Sequence, residues 1–496
     1  MTDIQKQIQE YGTKIDNLAK YQHDDQLLDL LEEAKRFSSE SASKDPALPY
    51  FIGTGYSILA YHKRAESCDL PEGADKKALL SNVDEYNRLT MYFFRMALSL
   101  LPSTDLHLHS RILTNYANTL DSCGRVIEAL KTYREAIAIN SKFGMAVANY
   151  GLALQFLANI VNDPGHKHEL HCNAYQIMKK GLVLRDGDFH DDAIIAFEKH
   201  IKEYELLPII REISKPIIYQ QYDLGTGKEK EYRKWCLRHH LYLNPLNELI
   251  ELESAFAHDP LTITSFTENI EESDSSGAPP RWFSMLNQLK QEYAYARYLC
   301  FEGSENIQGL HYADKGVQLS LSSYDYVNYS VRIEQLKTAF RNLYAIYDQI
   351  AYFINDFWKI GLKEKQADAK YVFHHEGYPR ENLALNALYW CHCEFHEKYG
   401  DADAGSEQEL ADLRNAFEHK FVKVHEYWDK GLKLEKDNFY HIGENKLVQY
   451  TIRSLELSRE ALMYLVYAIE LEEKKKPRDK NIVRLNIVDF DDDWKL

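Results

Sequence analysis

The stretch ADLRNAFEHKF, residues 411–421, carries the string R-N-x-x-x-H: Arg414, Asn415 and His419. An imidazole takes up or returns a proton near neutral pH, and a guanidinium keeps its charge while offering a planar fork of donors to an oxyanion. Together the two can run general acid–base chemistry with charge stabilisation and need no metal. Spacing alone is weak evidence, because chance supplies such Arg-to-His pairs. A second one, Arg185–His190, sits in the Gly/Asp turn RDGDFH.

The elements that position these residues read as helices. At about 100° per residue, Leu410, Leu413, Phe417, Phe421, Val424 and Trp428 share one face of a helix expected over 408–430. Asn415 and His419 then lie one turn apart on the opposite face. Arg414 and His419 are both expected off the core, which leaves a solvated histidine beside an Arg414–Glu418 surface pair as the competing reading. Helices are also expected over 331–360, where Leu336, Phe340, Leu343, Tyr347, Ile350, Ile354 and Phe357 form a seam, and over 381–398. A fourth is expected over 445–474, with Val448, Ile452, Leu455, Leu462, Val466 and Ile469 on one face. Four amphipathic helices make a bundle, assigned to 326–478.

The rest of the chain is helical in period too, so the fold class is all-α. In residues 111–144, Leu113, Ala117, Leu120, Ala129, Tyr133 and Ala136 are spaced for two closely packed helices. A 34-residue step later, Val147, Gly151 and Leu154 repeat the first half. This resembles the tetratricopeptide repeat. The second copy departs from it, resuming at Ala174, Met178 and Gly181 after an eleven-residue insertion around NDPGHKHELHC. Residues 1–205 are therefore expected to be an irregular helical solenoid, a pure stacking scaffold or one whose concave face holds a protein or peptide regulator. A helical connector is assigned to 206–325, with an exposed loop near 267–280, and an acidic tail to 479–496.

A four-helix bundle with R-N-x-x-x-H inside its third helix resembles the HEPN superfamily of ribonucleases and nucleotide-binding domains. The wider likeness is to bacterial members that join tetratricopeptide-like helices to a C-terminal HEPN bundle. The resemblance implies that Arg414 and His419 are the catalytic pair, with Asn415 as the polar residue after the Arg. It also implies a homodimer in which the third helices of two copies face one another and build one composite site. RNA is then cut by attack of its own 2′-hydroxyl, leaving a 2′,3′-cyclic phosphate and a 5′-hydroxyl, with no cofactor or metal. The role it implies is a regulated toxin or phage-defence effector. The alternative function is a non-catalytic interaction scaffold whose bundle only dimerises or binds a nucleotide.

Auxiliary positions are Arg341, Asn342 and Asp348 on the first bundle helix, either lining the same cleft or simply solvated, and Arg459 on the fourth, either snorkelling or reaching a phosphate. The cluster RKWCLRHH, with Arg233, Lys234, Arg238, His239 and His240 around Trp235, either guides RNA or is a solvated helix face.

Composition sets the limits. A net charge of −17, divided as −12 over residues 1–330, −3 over 331–480 and −2 over the last sixteen, excludes non-specific coating of nucleic acid and leaves the nearly neutral C-terminal third for any RNA chemistry. The lack of a long apolar run, the polar start MTDIQKQIQEYGTKID and seven scattered cysteines lead to the expectation of a cytoplasmic protein with reduced thiols and no membrane partner. Two metal-like clusters, Cys391/His392/Cys393/His396 and His166/His168/His171/Cys172, are read as structural. The first is spread about 200° around a helix, and the second matches no standard finger. The ending, with Phe490 and Trp494 among acids, is read as a solvated tail.

Overall fold

The computed structural model describes residues 2–41, 44–71, 73–102, 104–184, 189, 191–206, 219, 221–269, 281–304, 310–317, 327–396, 406–426, 439–476 and 482–486. Among these are sixteen α-helices and four short strands, an all-α architecture. Two compact units divide the chain: residues 1–158, 170–216 and 398–408 form one, and residues 159–169, 217–397 and 409–496 the other. No helix among the described residues is long and apolar enough to cross a membrane. The Arg185–His190 pair, Trp428, the His396 side chain and residues 487–496 lie outside the described residues.

The N-terminal unit is a run of helices: α1 (Asp3–Lys20), α2 (Asp24–Ser41), α3 (Ala47–Cys68), α4 (Ala74–Leu100), α5 (Leu106–Ser122), α6 (Val126–Ile139), α7 (Gly144–Ile160), α8 (Pro164–Val183) and α9 (Asp191–Glu205), less the end of α7 and the start of α8, which fall in residues 159–169. Each leaves one apolar face that a neighbour must cover. Ile8, Leu27, Leu31, Leu48, Ile52, Tyr56 and Phe93 pool those of α1–α4 into one core. The expected contact residues of α5 and α6 are all buried: Leu113, Ala117, Leu120, Ala129, Tyr133 and Ala136. Between α7 and α8 the glycines set the approach. A Cβ on Gly181 would fall 2.6 Å from the Ala148 amide nitrogen, and one on Gly151 would fall 2.7 Å from Cγ of Met178. The eleven-residue insertion is not an irregular loop, because Pro164 opens α8 and the Asp163 carboxylate accepts the His166 amide at 2.7 Å, so the segment winds into the first turns of the helix.

The C-terminal unit holds α10 (Gly227–Arg238), α11 (Arg281–Ser304), α12 (Val331–Phe357), the single turn α13 (Ala369–Val372), α14 (Leu383–His396), α15 (Ser406–His419) and α16 (Glu444–Lys475). Strand β1 (Ser265–Asn269) pairs antiparallel with β4 (Ile482–Asn486), and β2 (Phe421–His425) pairs parallel with β3 (Phe439–Gly443). Part of the expected exposed loop and part of the expected solvated tail thus form one two-stranded sheet. The centre of the unit is α16. Residues 457–470 are buried on every face, instead of along one stripe, because α11, α12 and α14 all pack along it. Helix α11, placed by the sequence in a connector, is therefore a member of the bundle.

Arg459 corrects the sequence expectation most sharply. It neither snorkels nor faces solvent, but is buried in the middle of α16. Its Nη1 lies 2.5 Å from Glu248 Oε1, Nε donates to the Tyr242 carbonyl at 2.6 Å, and Nη2 donates to the Asn244 carbonyl at 3.0 Å. The segment 241–249 is buried and, apart from a single 3-10 turn at Pro245–Glu248, lacks regular helix or ladder bonding, so several of its backbone carbonyls take outside donors. Arg297 of α11 supplies more, pairing with Asp259 at 2.6 Å and donating to the Leu241 carbonyl at 2.9 Å. Arg459→Met removes the cation paired with the buried Glu248 and a donor to the Tyr242 and Asn244 carbonyls, and is expected to cost roughly 3–5 kcal/mol. Adding Glu248→Gln should restore part of that loss, both changes being read from urea denaturation midpoints.

Candidate active site

Helix α15 ends at His419, not near residue 430. Beyond it, Phe421-Val422-Lys423-Val424-His425 alternates with period two and carries β-branched residues, and it is a strand in the fold. Leu410, Leu413 and Phe417 are buried on the helix as expected, but Val424 reaches the core from a strand and Phe421 is 75% exposed.

On α15, Asn415 and His419 lie about 40° apart and Arg414 about 140° from His419. Asn415 and His419 are exposed and Arg414 is half-buried. The Arg414 guanidinium sits 4.3 Å from the centroid of the Tyr344 ring on α12. Its Nη1 donates to Asn415 Oδ1 at 3.0 Å, and its Nε is buried with no hydrogen-bond partner among the described residues. No ion pair to Arg414 forms among those residues, and its guanidinium packs against a ring face.

Asp348 is one helical turn beyond Tyr344, close enough for the Arg414 charge to act on its carboxyl. Desolvation pushes that carboxyl above the ordinary aspartate range, against the Ala369 amide that donates to it at 3.0 Å and against Arg414. Burial likewise raises the Tyr344 hydroxyl while Arg414 opposes the shift. Arg341, on the same side of α12, lies 5.4 Å from the Phe417 ring at the seam with α15. Asn342 points about 100° or more away from the row Arg341–Tyr344–Asp348. Arg459 is excluded by its burial against Glu248.

The basic cluster on α10 splits up. Arg233 pairs with Glu229 at 2.9 Å, His239 packs on Trp235 with ring centroids 4.8 Å apart, and Trp235 is buried, so it offers no open ring. Lys234 and Arg238 are exposed. His171 contacts the Tyr204 hydroxyl at 2.8 Å, Cys172, Cys391 and Cys393 are buried, and no group of three His, Cys, Asp or Glu among the described residues is placed to hold a metal ion. Sequence reasoning missed Tyr344. Its only signal was a position one turn before Asp348 on the side of α12 that meets α15.

Residues 273–472 match the family model described as LA2681-like HEPN. This stretch is a HEPN-family domain. The match begins ahead of α11, consistent with that helix packing in the bundle, and takes in Tyr344, Asp348, Arg414, Asn415 and His419. No curated protein and no solved structure matches the chain.

The three motif residues differ in what they do for the fold. Arg414→Ala removes a cation–ring contact and buried methylenes, and is expected to lower stability by about 1 kcal/mol. Asn415→Ala and His419→Ala, both on the exposed face, should change it by less than about 0.5 kcal/mol. Thermal and urea denaturation of the three variants checks the difference.

Proposed function

We propose that the HEPN-family domain is a metal-independent endoribonuclease, with His419 moving the proton, Arg414 bearing the charge of the phosphorane and Asn415 orienting one of them. The 2′-hydroxyl loses its proton and attacks the adjacent phosphorus. The P–O5′ bond breaks, the 5′-oxygen takes up a proton, and a 2′,3′-cyclic phosphate remains. The observation that carries this reading is the pairing of an exposed Asn415 and His419 with an arginine that rests on the Tyr344 ring and makes no direct ion pair among the described residues. Arg414 and His419 diverge by about 140° on one helix, so one copy does not aim both at the same phosphate. Two copies with their α15 helices facing can combine His419 of one with Arg414 of the other, and a homodimer is therefore part of the proposal. Asp348, Tyr344 and Arg341 line the Arg414 side.

The N-terminal helical hairpins, read as tetratricopeptide-like, would take a protein or peptide that restrains the nuclease, as in a cytoplasmic toxin or phage-defence effector. The net charge of −17 favours the second reading, a scaffold whose bundle only dimerises or binds a nucleotide.

Purified protein should cleave RNA in EDTA, leave DNA intact, and lose cleavage at least a hundredfold on His419→Ala or Arg414→Ala, the scale of removing one acid–base or charge-stabilising group. Equal cleavage by parent and His419→Ala protein would overturn the assignment. RNA that stays intact while a nucleotide is bound would favour the scaffold.

A further inference from the structure

The two strands after α15 make a face that the motif does not use. Parallel register pairs Phe421 with Phe439, Lys423 with His441 and His425 with Gly443. Side chains alternate along a strand, so Val422, Val424, Tyr440 and Ile442 share one face, with Val424 and Ile442 buried in the core. The other face carries Phe421, Lys423 and His425 from β2 and Phe439 and His441 from β3.

Its rings form a column. Phe421, 75% exposed, and Phe439, 38% exposed, have centroids 5.8 Å apart. His441 lies edge-on to Phe439 at 6.4 Å and stacks at 5.1 Å on the buried His425. The Lys423 ammonium is 4.1 Å from the Phe439 centroid. The exposed end of the column, Phe421, is two residues past His419, with exposed Lys420 between them.

We propose that this face is a stacking platform for a base of single-stranded RNA, placing the adjoining phosphate at His419. The inference rests on the nuclease reading of that site. Nucleobases present flat π-faces to aromatic side chains, and proteins that hold single strands combine such rings with cations for the backbone. The lysines fit phosphate, and they matter more in a chain whose overall charge repels it. A second copy fits less well, because a two-fold contact through this face sets Lys420 and Lys423 against their own copies.

The test uses the full chain carrying His419→Ala, so that RNA survives, and reads binding of a short labelled single-stranded RNA by fluorescence anisotropy. Adding Phe421→Ala should weaken binding about tenfold, within the range one base–aromatic stack supplies, while Phe421→Trp keeps it. Sedimentation velocity should show the same oligomer for all three. The platform is overturned if the RNA does not bind, if Phe421→Ala binds as tightly as its parent, or if Phe421→Ala separates the copies and so marks the face as a subunit contact. Phe421-dependent binding without cleavage by wild-type protein would remove the nuclease reading and keep the platform. Cleavage that depends on His419 with binding indifferent to Phe421 would do the reverse.

Discussion

A buried stretch of backbone with little more than single 3-10 turns must find hydrogen-bond donors elsewhere, and in the C-terminal unit two guanidinium groups help to meet that need. Arg459 serves the Tyr242 and Asn244 carbonyls and the Glu248 carboxylate, and Arg297 serves the Leu241 carbonyl and Asp259. The clamps tie 241–259 to α16 and α11. Glu470 adds a third tie, accepting the Thr264 amide and hydroxyl at 2.8 Å each. Buried charges of this kind hold one arrangement because losing either partner leaves an uncompensated ion. With α11 and α16 tied to a common segment, α12 is held against both.

The site inherits that rigidity. Ser330 caps α12, accepting the Ile333 amide at 3.4 Å, and the helix presents Phe340 to Phe417 and Tyr344 to Arg414. Lys446 of α16 meets Glu409 at 3.0 Å and holds the other end of α15. Burying Leu410, Leu413 and Phe417 turns Asn415 and His419 outward and leaves Arg414 half-buried at the margin. The aromatic partner is significant. A carboxylate would neutralise Arg414 and occupy its donors, whereas a ring quadrupole stabilises the cation and leaves in-plane N–H groups able to bond. The same enclosure raises the Asp348 carboxyl, so the charge balance around Arg414 is set by packing as well as by residue type.

The N-terminal unit shows how small residues act where no chemistry is involved. Gly151 and Gly181 recur on facing helices where any Cβ would collide with the neighbour's backbone or side chain. Ala117 on α5 and Ala129 and Ala136 on α6 are fully buried. The spacing was readable before the structure because a close helix–helix approach imposes a size limit at fixed positions. The course of the insertion was not, because its histidines and glycine resemble a polar loop while the Asp163–Pro164 start signal acts within a single turn.

Several features followed from the sequence alone: the all-α class, the helices carrying Leu336–Phe357 and Leu455–Ile469, the small-residue spacing, and the outward placement of Asn415 and His419. Each is set by a periodic pattern within one element, which marks the side that must leave water. Only the tertiary structure decided that α15 stops at His419, that α11 joins the bundle, that Arg414 rests on Tyr344 and that Arg459 is an internal clamp. The run from Phe421 to His425 fits both a helical and a strand period over five residues, so pairing with β3 had to choose. Arg459 finds its partners 211 to 217 positions away. Local periodicity records which face is buried, but the fate of a buried charge depends on distant groups that meet it only in the folded chain.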